Sequence, residues 1–225
     1  MKHKKVKIKE LRLRAFEQIN LYPVTDQELS LGRSDLEVLD GLIVGGARIV
    51  QLREKHLSKN DFYLLAQAFR QKTEQAGMLL IINDHLDVAL ACGADGVHLG
   101  QDDMPLAAAK EIAPDIIIGV STHTLEEAMA AQSQGADYVN IGPIFATQTK
   151  EVKMNPLGPA AIGEIAPHLK IPFTVMGGIN QTNIEQVLRA GARKIAVVTA
   201  VTKSKDIAQT VRELCKIIHE HESNC

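Results

Sequence analysis

The sequence predicts an α/β protein, a single-domain (β/α)8 TIM barrel, on three observations. Four junctions repeat one pattern: Gly46-Ala47-Arg48-Ile49-Val50, Gly93-Ala94-Asp95-Gly96-Val97, Gly135-Ala136-Asp137-Tyr138-Val139 and Gly191-Ala192-Arg193-Lys194-Ile195. Each follows an amphipathic stretch and precedes an apolar run, so each is a helix stop and a strand start. The steps between the junctions are 47, 42 and 56 residues, room for two strand–helix units apiece. Further short apolar runs fill the gaps. No glycine-rich dinucleotide fingerprint follows the first strand, which favours a closed barrel over a doubly wound open sheet.

Taken in order, residues 21–25 read as the first strand, and the repeat at Gly46 opens the second, which runs to Gln51. Residues 79–82 form the third, the repeat at Gly93 opens the fourth, and residues 116–119 form the fifth. The repeat at Gly135 opens the sixth, residues 171–176 with Pro172 form the seventh, and the repeat at Gly191 opens the eighth. Capping signatures start several helices between them: Ser58 with Asp61, Thr124 with Glu127 and Thr182 with Glu185. Eight units in this length make a compact barrel.

Composition bounds the rest. The chain has 225 residues, 45% of them hydrophobic, which is enough to bury a core. No apolar run approaches a membrane span, and a net charge of −2 argues against a general nucleic-acid binder. Cys92, Cys215 and Cys225 have no zinc-ligand spacing and suggest no disulfide framework. A cytoplasmic protein with small-molecule partners, neither nucleic acid nor membrane, is expected; homo-oligomerisation stays open. Residues 1–20 hold seven Lys and Arg against Glu10 and Glu17, without the apolar stretch of a signal peptide. They are expected to form a basic extension, a solvated tail or a short helix under the catalytic domain of residues 21–225 rather than a contact arm for an acidic partner.

In such barrels chemistry sits on the loops at the carboxyl ends of the strands. Those ends carry Thr25-Asp26, then Gln51, Arg53, Glu54 and Lys55, then Asn83, Asp84 and His85. Next come His98, Gln101, Asp102 and Asp103, then Ser121 and His123, then Thr147, Thr149 and Lys150. Gly177-Gly178 and Val198-Thr199 finish the last two. Arg53, Lys55 and Lys150 are cationic donors, and Gly178 would let backbone N–H groups approach an oxyanion. Asp84 and Asp103 end adjacent strands and could hold one Mg²⁺, a hard cation that shares oxygen ligands with phosphate. The set points to two phosphorylated ligands, one a diphosphate.

Each residue also has a plainer role. Asp84 could cap the helix opening at His85, and Asp102 and Asp103 could serve the turn before Pro105. Arg53 and Lys55 could form surface ion pairs with Glu54, Asp61 or neighbours, and Gly177-Gly178 could mark a tight turn. His85, His98 and His123 have no metal spacing and are expected to pack or to sit in loops. All the plainer roles would have to hold at one end of one barrel.

At these residues the sequence resembles the thiamine-phosphate synthase family, from about residue 21 to residue 200. The resemblance rests on Gln51-Leu52-Arg53-Glu54-Lys55, Ile82-Asn83-Asp84, Gly96-Val97-His98-Leu99-Gly100-Gln101-Asp102-Asp103 and Gly119-Val120-Ser121-Thr122-His123. Gly142-Pro143-Ile144-Phe145 leading into Thr147-Gln148-Thr149-Lys150, and Gly177-Gly178-Ile179, complete it. The resemblance implies transfer of an aminopyrimidinylmethyl group from its diphosphate ester to the nitrogen of hydroxyethylthiazole phosphate, through a pyrimidine-methyl cation. It implies Mg²⁺ on Asp84 and Asp103. It implies Gln51, Arg53, Lys55, Asn83, Ser121 and Lys150 around the pyrimidine diphosphate, with Arg53, Lys55, Ser121 and Lys150 in catalysis. Thr147, Thr149, Gly178, Val198 and Thr199 would hold the thiazole phosphate.

The residue chemistry suits that reaction. A thiazole nitrogen attacks with its own lone pair, so no strong base is needed, and the growing charge of a leaving diphosphate calls for cations. Two alternatives use the same fold. A thiazole tautomerase would move a proton, with His123 as a conceivable base, but has no use for Arg53, Lys55, Asp84 and Asp103 together. A non-catalytic phosphate-binding module would not need the metal carboxylates.

Overall fold

The computed structural model describes residues 2–147 and 155–223. Eight strands alternate with helices: β1 (Leu21–Pro23), β2 (Ile49–Leu52), β3 (Leu79–Asn83), β4 (Gly96–Leu99), β5 (Ile117–Thr122), β6 (Tyr138–Ile141), β7 (Phe173–Val175) and β8 (Ile195–Val197). The α-helices are α1 (Lys2–Glu17), α2 (Asp35–Gly45), α3 (Lys59–Gln75), α4 (Leu86–Cys92), α5 (Leu106–Ile112), α6 (Leu125–Ser133), α7 (Ala160–Ile165), α8 (Ile184–Arg189), α9 (Thr199–Thr202) and α10 (Ile207–Ser223). No described helix is long and apolar enough to cross a membrane.

All strand pairs are parallel, each strand lies beside its sequence neighbours, and β1 lies beside β8. The last gap, between β1 and β2, closes through the bridge Val24–Gln51 and the Thr25 N–H, which donates to the Gln51 carbonyl at 2.9 Å. The expected (β/α)8 barrel is present, and the ring has no edge strand to protect.

Side chains alternate across the staves with period two. Tyr22, Ile49, Ile81, Ile117, Tyr138 and Ala196 face inward as one buried cluster. Their neighbours Leu21, Val50, Leu80, Ile82, Ile118, Val139, Ile195 and Val197 face outward into the layer beneath the helices. Both faces are therefore buried, as a parallel sheet requires, and the strands read as continuous apolar runs.

The helix stops behave as the repeat predicts. Gly46 and Gly93 end α2 and α4 in the left-handed region, at φ 87° and 71°, and each donates its N–H back into its helix. The aspartates of the Gly-Ala-Asp junctions do further work: Asp95 accepts the Leu80 N–H at 2.9 Å and Asp137 accepts the Ile118 N–H at 2.8 Å. Among the caps, Ser58 accepts the Asp61 N–H and Thr124 the Glu127 N–H. Ser34 and Glu37 form a reciprocal box at the start of α2 that the sequence reading did not single out. The expected cap at Thr182 is not there. The Thr182 N–H and hydroxyl both donate to Asn180 Oδ1, a local Asn turn that outcompetes the cap, and α8 starts later behind Asn183.

Lys9, Arg12 and Phe16 of α1 join that helix to the barrel's amino-terminal end. Arg12 pairs with Asp95 at 2.9 Å and donates to the Asp115 carbonyl, while Lys9 pairs with Asp137 at 2.9 Å. Phe16, fully buried at the end of α1, stacks on Tyr138 with ring centroids 4.5 Å apart. The floor of the barrel is thus closed by α1.

Candidate active site

The inward register, followed to the carboxyl end of each strand, builds a mouth. From Tyr22 it runs to Val24, from Ile49 to Gln51 and Arg53, from Ile81 to Asn83, and from Gly96 to His98 and Gly100. From Ile117 it runs to Ser121 and His123, from Tyr138 to Asn140, and from Ala196 to Val198. All of these upper residues line one cavity of about 360 Å³, within the range of small-ligand sites.

The structure brings most of the expected residues together. Gln51, Arg53, Lys55, Asn83, Asp84, Asp103 and Ser121 line the cavity, and so do Thr147, Gly178, Val198 and Thr199. Thr149 and Lys150 lie outside the described residues.

Asp84 is central. It sits in the left-handed region at φ 62°, a conformation Asp tolerates better than most side chains, while its N–H donates to the His98 carbonyl at 2.8 Å. It caps no helix; His85 holds that position on α4 without a side-chain bond. Its carboxylate pairs with Lys55 and meets the carboxyl of Asp103 within hydrogen-bonding reach. Burial would raise the Asp84 pKa, but the bonds from Lys55 and Asp103 hold it below the usual carboxylate range. Burial and then the bond to Asp84 push the Asp103 carboxyl up, so the two groups are driven in opposite directions. Asp103 also accepts the Gly100 N–H at 2.6 Å, so it serves its turn as well.

Two carboxyl groups held face to face in a half-buried rim present hard oxygen ligands in charge conflict, which fits a Mg²⁺ ion. Among the described residues no cluster of three or more His, Cys, Asp or Glu could hold a metal. The remaining ligands would be phosphate and water oxygens, as is usual for Mg²⁺.

Both cations form ion pairs, and among the described residues the partners are neither Glu54 nor Asp61. Arg53 pairs with Asp26, itself buried, and Lys55 with Asp84; Glu54 instead accepts the N–H groups of Lys55 and His56. Gly177 and Gly178 are demanded by packing: a Cβ on Gly177 would lie 2.6 Å from Pro143 Cα, and one on Gly178 2.4 Å from the Ala146 carbonyl oxygen. They let the loops after β6 and β7 touch, while the Gly178 carbonyl accepts from Asn183 Nδ2 at 2.9 Å.

Sequence reasoning missed two residues. His98, expected to pack or lie in a loop, is a buried member of β4 that faces the cavity and bonds Ser121 Oγ at 2.9 Å. Asn140, buried on β6, also lines the cavity and accepts from Thr174 Oγ1 at 2.8 Å. Period two, counted forward from Gly96 on β4 and from Tyr138 on β6, was the available signal. His123 likewise lines the cavity, with Nδ1 donating to the Gly142 carbonyl at 2.6 Å. His85 does pack, edge-on against Phe62.

A barrel whose carboxyl-end mouth gathers two cations, two facing carboxyls and a ring of amides and hydroxyls defines a (β/α)8 enzyme for small phosphorylated molecules. The chain belongs to the thiamine monophosphate synthase family, whose model matches residues 21–201. It is 48% identical over 198 residues to the thiamine-phosphate synthase of Chloroflexus aurantiacus, covering 88% of this chain and 92% of that protein. The thiamine-phosphate synthase of Caldicellulosiruptor saccharolyticus is 42% identical over 95% of this chain and 97% of its own. The solved thiamine phosphate pyrophosphorylase from Pyrococcus furiosus superposes with a TM-score of 0.84 at 38% identity, covering 94% of this chain and 98% of that one.

Proposed function

We propose that the chain is a transferase of the thiamine-phosphate synthase type, joining an aminopyrimidinylmethyl diphosphate to hydroxyethylthiazole phosphate and releasing pyrophosphate. The C–O bond of the diphosphate ester breaks with its electron pair leaving on oxygen, and the thiazole nitrogen lone pair forms the new C–N bond. No proton need be taken from the nucleophile. The observation that supports this reading best is the Asp84–Asp103 carboxyl pair beside Lys55, in one mouth with Arg53.

Asp84 and Asp103 would hold Mg²⁺, which when bound neutralises diphosphate charge. Arg53 and Lys55, with Lys150, would meet the charge that grows on the leaving oxygens, where donors fixed in advance count most. Gln51, Asn83 and Ser121 would orient the pyrimidine, and Thr147, Thr149, Gly178, Val198 and Thr199 would hold the thiazole phosphate. Holding both substrates in one cavity supplies proximity and keeps water from a pyrimidine-methyl cation.

Incubation with both phosphorylated substrates and Mg²⁺ should yield thiamine phosphate and pyrophosphate together. Formation of neither, or pyrophosphate release without the thiazole and at an equal rate, would overturn the reading. Isomerisation of a thiazole phosphate tautomer in place of coupling would assign the chain to proton transfer instead.

A further inference from the structure

A chain of buried hydrogen bonds crosses the barrel interior below the mouth. Gln51 Nε2 donates to the Tyr22 oxygen at 3.0 Å, and the Tyr22 and Tyr138 hydroxyls lie 3.0 Å apart. The Tyr138 hydroxyl meets His98 Nδ1 at 2.9 Å, and His98 Nε2 meets Ser121 Oγ at 2.9 Å. Five residues from β1, β2, β4, β5 and β6 are thereby linked, with Gln51 and Ser121 lining the cavity at the two ends. The strands are shaped for it. Gly119 must lack a side chain, since a Cβ there would lie 2.0 Å from Tyr138 Cζ.

The proton directions follow from counting donors. Both tyrosines are buried, and burial pushes both phenols well above the ordinary tyrosine range, so each keeps its single proton. Tyr22 accepts from Gln51, so its own O–H needs an acceptor, and the Tyr138 oxygen is the one in reach. Tyr138 must then donate onward to His98 Nδ1. In the reverse direction Tyr22 would receive two donors and leave its own O–H buried without an acceptor, an expensive arrangement.

We infer that Tyr22, Tyr138 and His98 are positioning residues that fix the His98 imidazole with its proton on Nε2, so that Ser121 accepts from His98 and turns its own O–H into the cavity as a donor. Ser121 is then committed to ligand atoms that accept, and Gln51 and Ser121 are held in register across the mouth. The consequence for catalysis rests on the transferase reading, whereas the tautomer does not.

The test is ¹⁵N NMR of imidazole-labelled protein near neutral pH, with the His98 signals identified by their loss in His98→Asn. The expected result is a proton on Nε2 and a bare Nδ1 in the parent and in Tyr22→Phe, with both tautomers mixed in Tyr138→Phe. A proton on Nδ1 in the parent would overturn the inference, whether or not any variant folds. In steady-state kinetics, Tyr138→Phe should lower kcat/KM about tenfold or more in the parent but by no more than about twofold in a Ser121→Ala background. Equal losses in the two backgrounds would reduce Tyr138 to packing. A parent with the expected tautomer but no transferase activity would leave the relay standing and remove the assigned reaction.

Discussion

The left-handed backbone of Asp84 places its carboxylate against the carboxyl of Asp103, one stave along the barrel. Each carboxyl opposes ionisation of the other, and the pair is the natural place to ask for metal.

Asp84→Asn and Asp103→Asn should each lower kcat by about 10²–10³-fold, or ~3–4 kcal/mol, at limiting Mg²⁺. A Mg²⁺ titration of the initial rate checks this, with the half-saturating concentration rising in both variants. Parental Mg²⁺ dependence in either would detach that carboxylate from the metal.

The same backbone makes a stability prediction that is separate from activity. At φ 62° a glycine is relaxed and an alanine is strained by roughly 1 kcal/mol, so Asp84→Gly should unfold at higher denaturant than Asp84→Ala. An order reversed in urea melts would mean that the left-handed turn relaxes when the carboxylate is lost.

Gly178→Ala should destabilise by about 1–3 kcal/mol, because the new Cβ would press on the Ala146 carbonyl and on Phe145 at a positive φ of 61°. Displacing that loop should also raise the KM for the thiazole phosphate more than that for the pyrimidine diphosphate. Unchanged denaturation and an equal change in both KM values would contradict this.

Asp35, at the start of α2, is 1% exposed, and among the described residues its carboxylate oxygens lack a hydrogen bond of ordinary geometry. Burial first, then the charge of Glu54, lifts its pKa to about 7, with Asp26 adding and the Thr25 hydroxyl only partly opposing. The folded protein therefore holds this proton more tightly than the unfolded chain. Its contribution is full below about pH 4 and is lost at up to roughly 1.4 kcal/mol per pH unit as pH rises towards 7. Asp35→Asn removes that loss, so its stability relative to the parent should improve from pH 5 to pH 8 in urea melts. A pH-independent difference would place the proton elsewhere.

The barrel was legible because its signal is local and repeated. Gly46 and Gly93 had to stop helices, and the β-branched residues after them had to be buried. The rim residues were legible because strand ends can be read off the same junctions. Thr182 was misread because Asn180, two residues earlier, offers a shorter-range bond that a capping pattern does not weigh. His98 and Asn140 were missed for a different reason: a buried polar side chain in an apolar strand becomes visible only when parity is carried across several staves. The Gln51-to-Ser121 relay joins residues as far as 116 positions apart at one step, Tyr22 to Tyr138, and no spacing in the sequence foretells it.

The amino-terminal helix has an unexpected bearing on how far the protein can be shortened. Phe16 works as a stopper wedged into the base of a cask whose upper layer is the Tyr22–Tyr138 contact. A fragment starting at residue 21 would keep every rim residue yet admit water from underneath. It would wet the phenols on which the orientation of Ser121 depends, so trimming the end remote from the chemistry would blunt the chemistry itself.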